Sequence, residues 1–124
     1  MRPIDAPNAP KALGPYRHGN VVGNLLFTSG QIALVPETGE FLGGGIEAQT
    51  EQVVKNLTAI LRAAGTDWPR VAQATLYLTD LADYAACNQV YERMLGAAKP
   101  SRSVSQVTAL PKGAKVEIDL VAEV

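Results

Sequence analysis

The chain carries one cysteine, Cys87, and one histidine, His18. A lone thiol cannot close an intrachain disulfide, which agrees with a reducing compartment. No His/Cys cluster exists from which to build a zinc centre, so no metal is expected. A dominant charge is missing too: 11 Lys and Arg stand against 12 Asp and Glu, a net charge of −1. No two basic residues are adjacent. A protein held by nucleic-acid phosphates needs a basic face, and so does one held by anionic lipid; composition argues against both. Aromatics for stacking on bases are sparse, with two Phe, one Trp and four Tyr. Nothing approaches the ~18 consecutive apolar residues of a spanning helix. The start, Met1 to Pro7, has no apolar run of secretory length. The expected location is therefore the cytosol, away from membranes. Gly43-Gly44-Gly45 precedes a helical pattern as phosphate loops do, but no Gly-Lys-Ser/Thr follows, and it reads as a mobile loop. Asn56-Leu57-Thr58 has the form of a glycosylation sequon but falls inside a helical pattern.

What is present suits a single domain over residues 1–124. At this length roughly two thirds of the unfolded chain's surface can be buried, enough for one core. Apolar residues make up 47% and charged residues 19%, which excludes a disordered chain. Residues 1–15, with four prolines, read as an extended arm. Tyr16 to Val22 and Leu25 to Thr28 flank the turn pair Gly23-Asn24 and predict a hairpin. Pro36 to Glu40 is a second turn, between Ile32–Val35 and Phe41-Leu42.

Ile46, Thr50, Val53, Leu57, Ile60 and Ala64 recur at helical spacing and predict a helix over 46–64 closed by Gly65. Val71 to Leu78 reads as a strand, with Ala72, Ala74, Leu76 and Leu78 on one face and Val71, Gln73, Thr75 and Tyr77 on the other. Asp80 is positioned to cap a second helix over 81–95, whose apolar stripe runs through Leu81, Tyr84, Cys87, Val90 or Tyr91, and Met94 or Leu95. Ser101 to Val107 and Lys115 to Val124 complete the strands. In the last, Val116, Ile118, Leu120 and Ala122 alternate with Glu117, Asp119, Val121 and Glu123.

This order predicts an α+β fold, a mixed sheet with both helices on one face. The other face carries Thr, Ser, Gln and Val. It is too apolar to be freely solvated and too polar for a dry core, as faces that pack against a sister subunit often are.

Several segments, in order, resemble one known family. Asn8-Ala9-Pro10 with Gly14-Pro15-Tyr16 resembles its N-terminal motif, and Thr28-Ser29-Gly30-Gln31-Ile32 its second-strand motif. Pro36-Glu37-Thr38-Gly39 resembles the turn that follows. Asn56 with Ala63-Ala64-Gly65, then Leu78-Thr79-Asp80-Leu81, Asn88 and Tyr91-Glu92, resemble its helices. Ser101-Arg102-Ser103 and Leu110 to Ile118 resemble its closing strands. The family is RidA, also called YjgF/YER057c/UK114, and the match runs nearly end to end.

The resemblance implies a chorismate-mutase-like fold with a six-stranded sheet, a homotrimeric barrel, and a ligand cleft at each subunit interface. The implied activity is hydrolysis of 2-imino acids, such as 2-iminobutanoate and 2-iminopropanoate, to 2-oxo acids and ammonia, with no cofactor. Some relatives carry endoribonuclease or translation-inhibitor labels instead, and a non-catalytic binder of small carboxylates is a third possibility.

By resemblance, Arg102 is the substrate-binding cation, since a planar guanidinium grips a carboxylate through two parallel hydrogen bonds. From spacing alone it is an arginine on an exposed strand. By the same resemblance Glu117 is the acid that holds and polarises the attacking water; plain alternation would make it one more charge on a wet face. Tyr16 and Ser29 match positions that donate hydrogen bonds in the site, against readings as a turn packing residue and a strand-end hydroxyl bonded to backbone. Gly30 allows close backbone approach. Asn88 is a weaker candidate on the second helix. Val104 stands where many relatives have cysteine, so only its backbone is available to a ligand. Arg17-His18-Gly19 departs from the family's usual Ser-Gln-Ala and adds positive charge near the expected site. His18 tempts as a base, but the family does not use that position, and a lone histidine is more often a surface or packing residue.

Overall fold

A computed structural model describes all of residues 1–124. Six strands form one sheet: β1 (Arg2–Ile4), β2 (Gly19–Val22), β3 (Leu25–Thr28), β4 (Val71–Leu78), β5 (Ser101–Gln106) and β6 (Val116–Glu123). Their order across the sheet is β1-β2-β3-β6-β4-β5. Only β4 and β5 pair in parallel; the other pairs are antiparallel, so the sheet is mixed as expected. Helix α1 (Ile46–Ala63) leads from β3 to β4 and α2 (Tyr84–Leu95) from β4 to β5. Both crossovers step the same way along the sheet, and right-handed connections that step the same way put their helices on the same face. One core of 25 residues draws on both helices and on alternate residues of β4 and β6.

The hairpin forms at Gly23-Asn24, with Gly23 at φ +62, a conformation glycine adopts without steric cost. Its first strand is shorter than expected, because Tyr16 to His18 stay outside the ladder. The arm is not wholly irregular: Arg2–Ile4 adds an edge strand to β2. Gly65, at φ +81, terminates α1 where the sequence places it.

Three expectations are corrected. In β4, Val71 is buried and Ala72 exposed, the reverse of the alternation read from sequence. A bulge between Val71 and Gln73 inserts Ala72 as an extra residue and flips the strand's first position. Asp80 caps, but not α2. It accepts from the Ala82 N–H and starts a single 3-10 turn, Leu81–Asp83, which precedes α2. Leu81 and Tyr84, read as core positions, are exposed at 49% and 40%. The 3-10 turn holds no buried residue, and beyond Tyr84 the stripe is buried where the spacing placed it, at Cys87, Val90, Tyr91 and Leu95.

His18 is neither surface nor simple packing. It is buried; its Nδ1 accepts the Ala6 N–H at 2.8 Å, so its proton sits on Nε2 and is donated to the Pro10 carbonyl at 2.6 Å. The ring pins the arm against the hairpin at two points. His18→Ala should leave a buried donor and acceptor unpaired and cost about 1–3 kcal/mol. His18→Gln, which can offer the same acceptor and donor, should recover most of that. Denaturant melts of the two variants check this, and equal losses would show that the ring's packing, not its hydrogen bonds, matters.

Candidate functional site

Strand β6 sets the first half of the site. Val116, Ile118 and Leu120 point into the core, so the period of two turns Glu117 and Asp119 onto the opposite face. The segment after β3 is tied to β6 by a pair of backbone bonds between Gln31 and Ile118, 2.9 and 3.1 Å. This lays Gly30 against Glu117. A Cβ built on Gly30 would stand 2.8 Å from Glu117 Cδ, so the glycine is what leaves room for the carboxylate. Glu117, Gly30 and Tyr16 line a cleft of about 280 Å³ with Leu13, Gln31 and Pro111. The arm that His18 pins is one wall of it. Tyr16 accepts the Leu13 N–H at 3.2 Å, which leaves its own hydroxyl proton free.

Burial pushes the half-buried Glu117 carboxyl above its ordinary range, and the neighbouring Asp119 carboxylate adds to the shift. Asp119 is itself raised by burial, against hydrogen bonds from Tyr77 and Thr75 that lower it. Sequence reasoning saw Asp119 only as alternation; its spacing two residues from Glu117 was the available signal.

The second half lies elsewhere. Arg102 is beside Ala74 in the β4–β5 register, and Glu117 is beside Tyr77 in the β4–β6 register. Partners in register share a face, and Ala74 is buried whereas Tyr77 is on the outer face. Arg102 and Glu117 therefore sit on opposite faces, with β4 between their strands. Arg102 is half-buried against α2. Its Nη1 donates to Asn88 Oδ1 at 2.6 Å and its Nη2 to the Tyr84 hydroxyl at 2.7 Å. Its Cζ lies 5.1 Å from the Tyr91 ring centroid and 5.6 Å from that of Tyr84. Arg102 and Asn88 line a separate pocket of about 320 Å³ with Tyr91, Glu92, Lys99 and Pro100.

The remaining candidates have structural partners. The Ser29 hydroxyl donates to the Arg17 carbonyl at 2.6 Å, the strand-end bond to backbone that its position allowed. Val104 packs on the main core beside Leu76. Arg17 pairs with Asp5 at 2.6 Å, so its charge has a carboxylate partner at the surface. Cys87 is buried and accepts from the Thr50 hydroxyl at 3.4 Å. No group of three or more His, Cys, Asp or Glu side chains is placed to hold a metal ion. No helix is long and apolar enough to cross a membrane.

By fold this is a two-helix α+β chain with a mixed six-stranded sheet, and its Arg102 and Glu117 lie in two separate polar clefts. Residues 6–124 match the profile of the family described as Endoribonuclease L-PSP. Human 2-iminobutanoate/2-iminopropanoate deaminase is 38% identical over 121 residues, which cover 98% of this chain and 88% of that one. The chloroplastic Reactive Intermediate Deaminase A of Arabidopsis thaliana is 45% identical over 119 residues, 96% of this chain and 64% of that longer protein. Among solved structures, that of Escherichia coli TdcF with bound serine is similar at a TM-score of 0.95 and 37% identity, over 100% of this chain and 99% of that one. The chain belongs to this family, the RidA/YjgF family that its motifs resemble.

A raised carboxyl pKa means that the folded chain holds this proton more tightly than the unfolded chain does. Glu117 thus adds stability below its ordinary range, and that stability is lost as pH rises through its raised value. Glu117→Gln should therefore melt at or above the wild-type temperature at neutral pH, and the gap should close below about pH 4. Thermal melts across that range provide the check; a variant less stable than wild type at neutral pH would contradict the desolvation.

Proposed function

We propose that the chain hydrolyses small 2-imino acids, 2-iminobutanoate and 2-iminopropanoate among them, to 2-oxo acids and ammonia. The working unit is a homotrimer, in which the Arg102 half-site of one subunit meets the Glu117 half-site of the next. One observation carries this reading. The half-buried Arg102 guanidinium is held only by neutral groups, and none of the four ion pairs in the chain includes it. A cation so held is left to bind an anionic ligand. The deaminase names of the relatives, and the serine in TdcF, support a small molecule bearing a carboxylate.

In this mechanism Arg102 holds the substrate carboxylate, with Asn88 steadying the guanidinium. Glu117 accepts a proton as water adds to the imine carbon, so the C–O bond forms while C=N becomes C–N. Its upward-shifted pKa brings its basicity nearer to working pH. That proton passes to nitrogen and gives the carbinolamine; the hydroxyl proton is then carried to nitrogen by way of Glu117 as C–N breaks and C=O forms, and ammonia leaves. Gly30 admits the substrate beside the acid, and its N–H is available to the developing oxyanion. Tyr16 has a free proton to donate. Ser29 supports the cleft from behind, and Val104 contributes backbone only. The steps need neither a metal nor a redox cofactor. The family's endoribonuclease description finds no support in the charge, which is −1 without a basic run. The single buried thiol supports a reducing, cytosolic setting.

The two halves should fail differently. Arg102→Ala should lose at least about tenfold in kcat/KM together with 2-oxobutanoate binding, and Arg102→Lys should not restore it, because an ammonium lacks the fork. Glu117→Gln should lower kcat while 2-oxo acid affinity stays near wild type. Gly30→Ala should copy Glu117→Gln, since the new methyl must displace the carboxylate. Steady-state imine hydrolysis, coupled to a serine or threonine dehydratase, with calorimetry of 2-oxobutanoate measures all four; a fully active Arg102→Ala would end the proposal. Assembly is tested separately by analytical ultracentrifugation at micromolar concentration. A trimer is expected, and a purely monomeric but active species would refute the shared site.

A further inference from the structure

Tyr84, Asn88 and Tyr91 stand at i, i+4 and i+7 on α2, one stripe of the helix, and all three meet the Arg102 side chain. Tyr91, buried, lies under the guanidinium. Asn88 takes one terminal nitrogen and the Tyr84 hydroxyl the other. We infer that Tyr84 is a positioning residue for the proposed imine hydrolysis: its hydroxyl fixes the plane of the Arg102 guanidinium, so that the free N–H groups meet the substrate carboxylate as a pair. The inference rests on the assignment of Arg102 as the carboxylate clamp.

The geometry supplies the reason. An arginine on an edge strand has a long, flexible stem and much rotamer freedom to lose on binding. One hydrogen bond, to Asn88 alone, leaves the planar head free to pivot about that contact. A second, on the other terminal nitrogen, stops the pivot. A carboxylate could do this more strongly, but it would neutralise the charge that the ligand needs. A phenol oxygen accepts the N–H and leaves the charge intact. Each terminal nitrogen carries two N–H groups, so Asn88 and Tyr84 together leave one on each, with the Nε–H besides. The ring of Tyr84, 5.6 Å from the guanidinium carbon, adds cation–π attraction that phenylalanine would retain. Tyr84 is itself 40% exposed, so removing its hydroxyl opens no cavity.

The test is Tyr84→Phe, measured in the wild-type and Arg102→Lys backgrounds, with 2-oxobutanoate affinity by calorimetry and imine hydrolysis by the coupled assay. In the wild-type background KM and the 2-oxobutanoate Kd should rise about threefold to tenfold together, with kcat and melting temperature little changed, as for a uniform binding contribution. In the Arg102→Lys background the same substitution should have much less effect, because the fork it orients is gone. Unchanged KM and Kd in Tyr84→Phe would overturn the inference. So would an equal loss in both backgrounds, which would mean that Tyr84 touches the ligand directly. If Arg102→Ala binds 2-oxobutanoate as wild type does, the clamp assignment itself fails. If Arg102→Ala abolishes binding and Tyr84→Phe changes nothing, only the role of Tyr84 fails.

Discussion

Strand β6 is bonded on both sides, to β3 and to β4, and its period of two governs both the core and the chemistry. Val116, Ile118, Leu120 and Ala122 are at most 1% exposed, so a slip of one residue would pull four core side chains out of the core at once. That cost locks the register. The locked register holds Glu117 and Asp119 on the outer face and allows the Gln31–Ile118 bridge to bring Gly30 against the acid. The position of the carboxylate is thus a by-product of packing on the other side of the same strand, and it is set without hydrogen bonds of its own.

The same pleat separates the charges. Had Arg102 and Glu117 shared a face on neighbouring strands, they would have formed an ion pair, and each would have been spent on the other. On opposite faces, neither neutralises the other. Arg102 sits among an amide, a phenol and two ring faces, none of which cancels its charge. Glu117 sits where burial and Asp119 disfavour its ionised form. The proposed trimer would join the two groups, so that assembly and site formation would be one event.

The irregular parts are held by buried polar groups as well as by apolar packing of Ala6, Ala9, Ile32, Ala33 and Leu34. His18 ties the arm at Ala6 and Pro10. Asn56, buried within α1, donates to the Ile32 and Leu34 carbonyls at 3.4 and 2.9 Å, and Gln49 spans the Gly44 carbonyl and the Lys115 N–H, each at 2.9 Å. Segments with little regular secondary structure have backbone groups that need partners, and these side chains supply them. The arm and the 30–34 segment wall the Glu117 cleft, so these bonds shape the site as much as the sheet does.

The two helices, the hairpin turn, the closing strand's alternation and the helix stop at Gly65 were legible because each follows a local rule: a period, a glycine, a turn pair. The family motifs added candidate residues that no period could single out from solvated charges. Local rules failed at element starts. The bulge at Ala72 exchanged the faces at the start of β4, and Asp80 opens a 3-10 turn before α2, with Leu81 and Tyr84 left exposed. They failed also for His18, whose two partners lie 12 and 8 residues away. Sequence by itself determined which residues are apolar, which are charged and at what period each recurs. Only the tertiary structure decided that Arg102 faces α2, that Glu117 faces the other way, and that Tyr84 and not a carboxylate holds the guanidinium. Faces and contacts of that kind depend on strand order and register, and these are set by the packing of segments far apart in the chain.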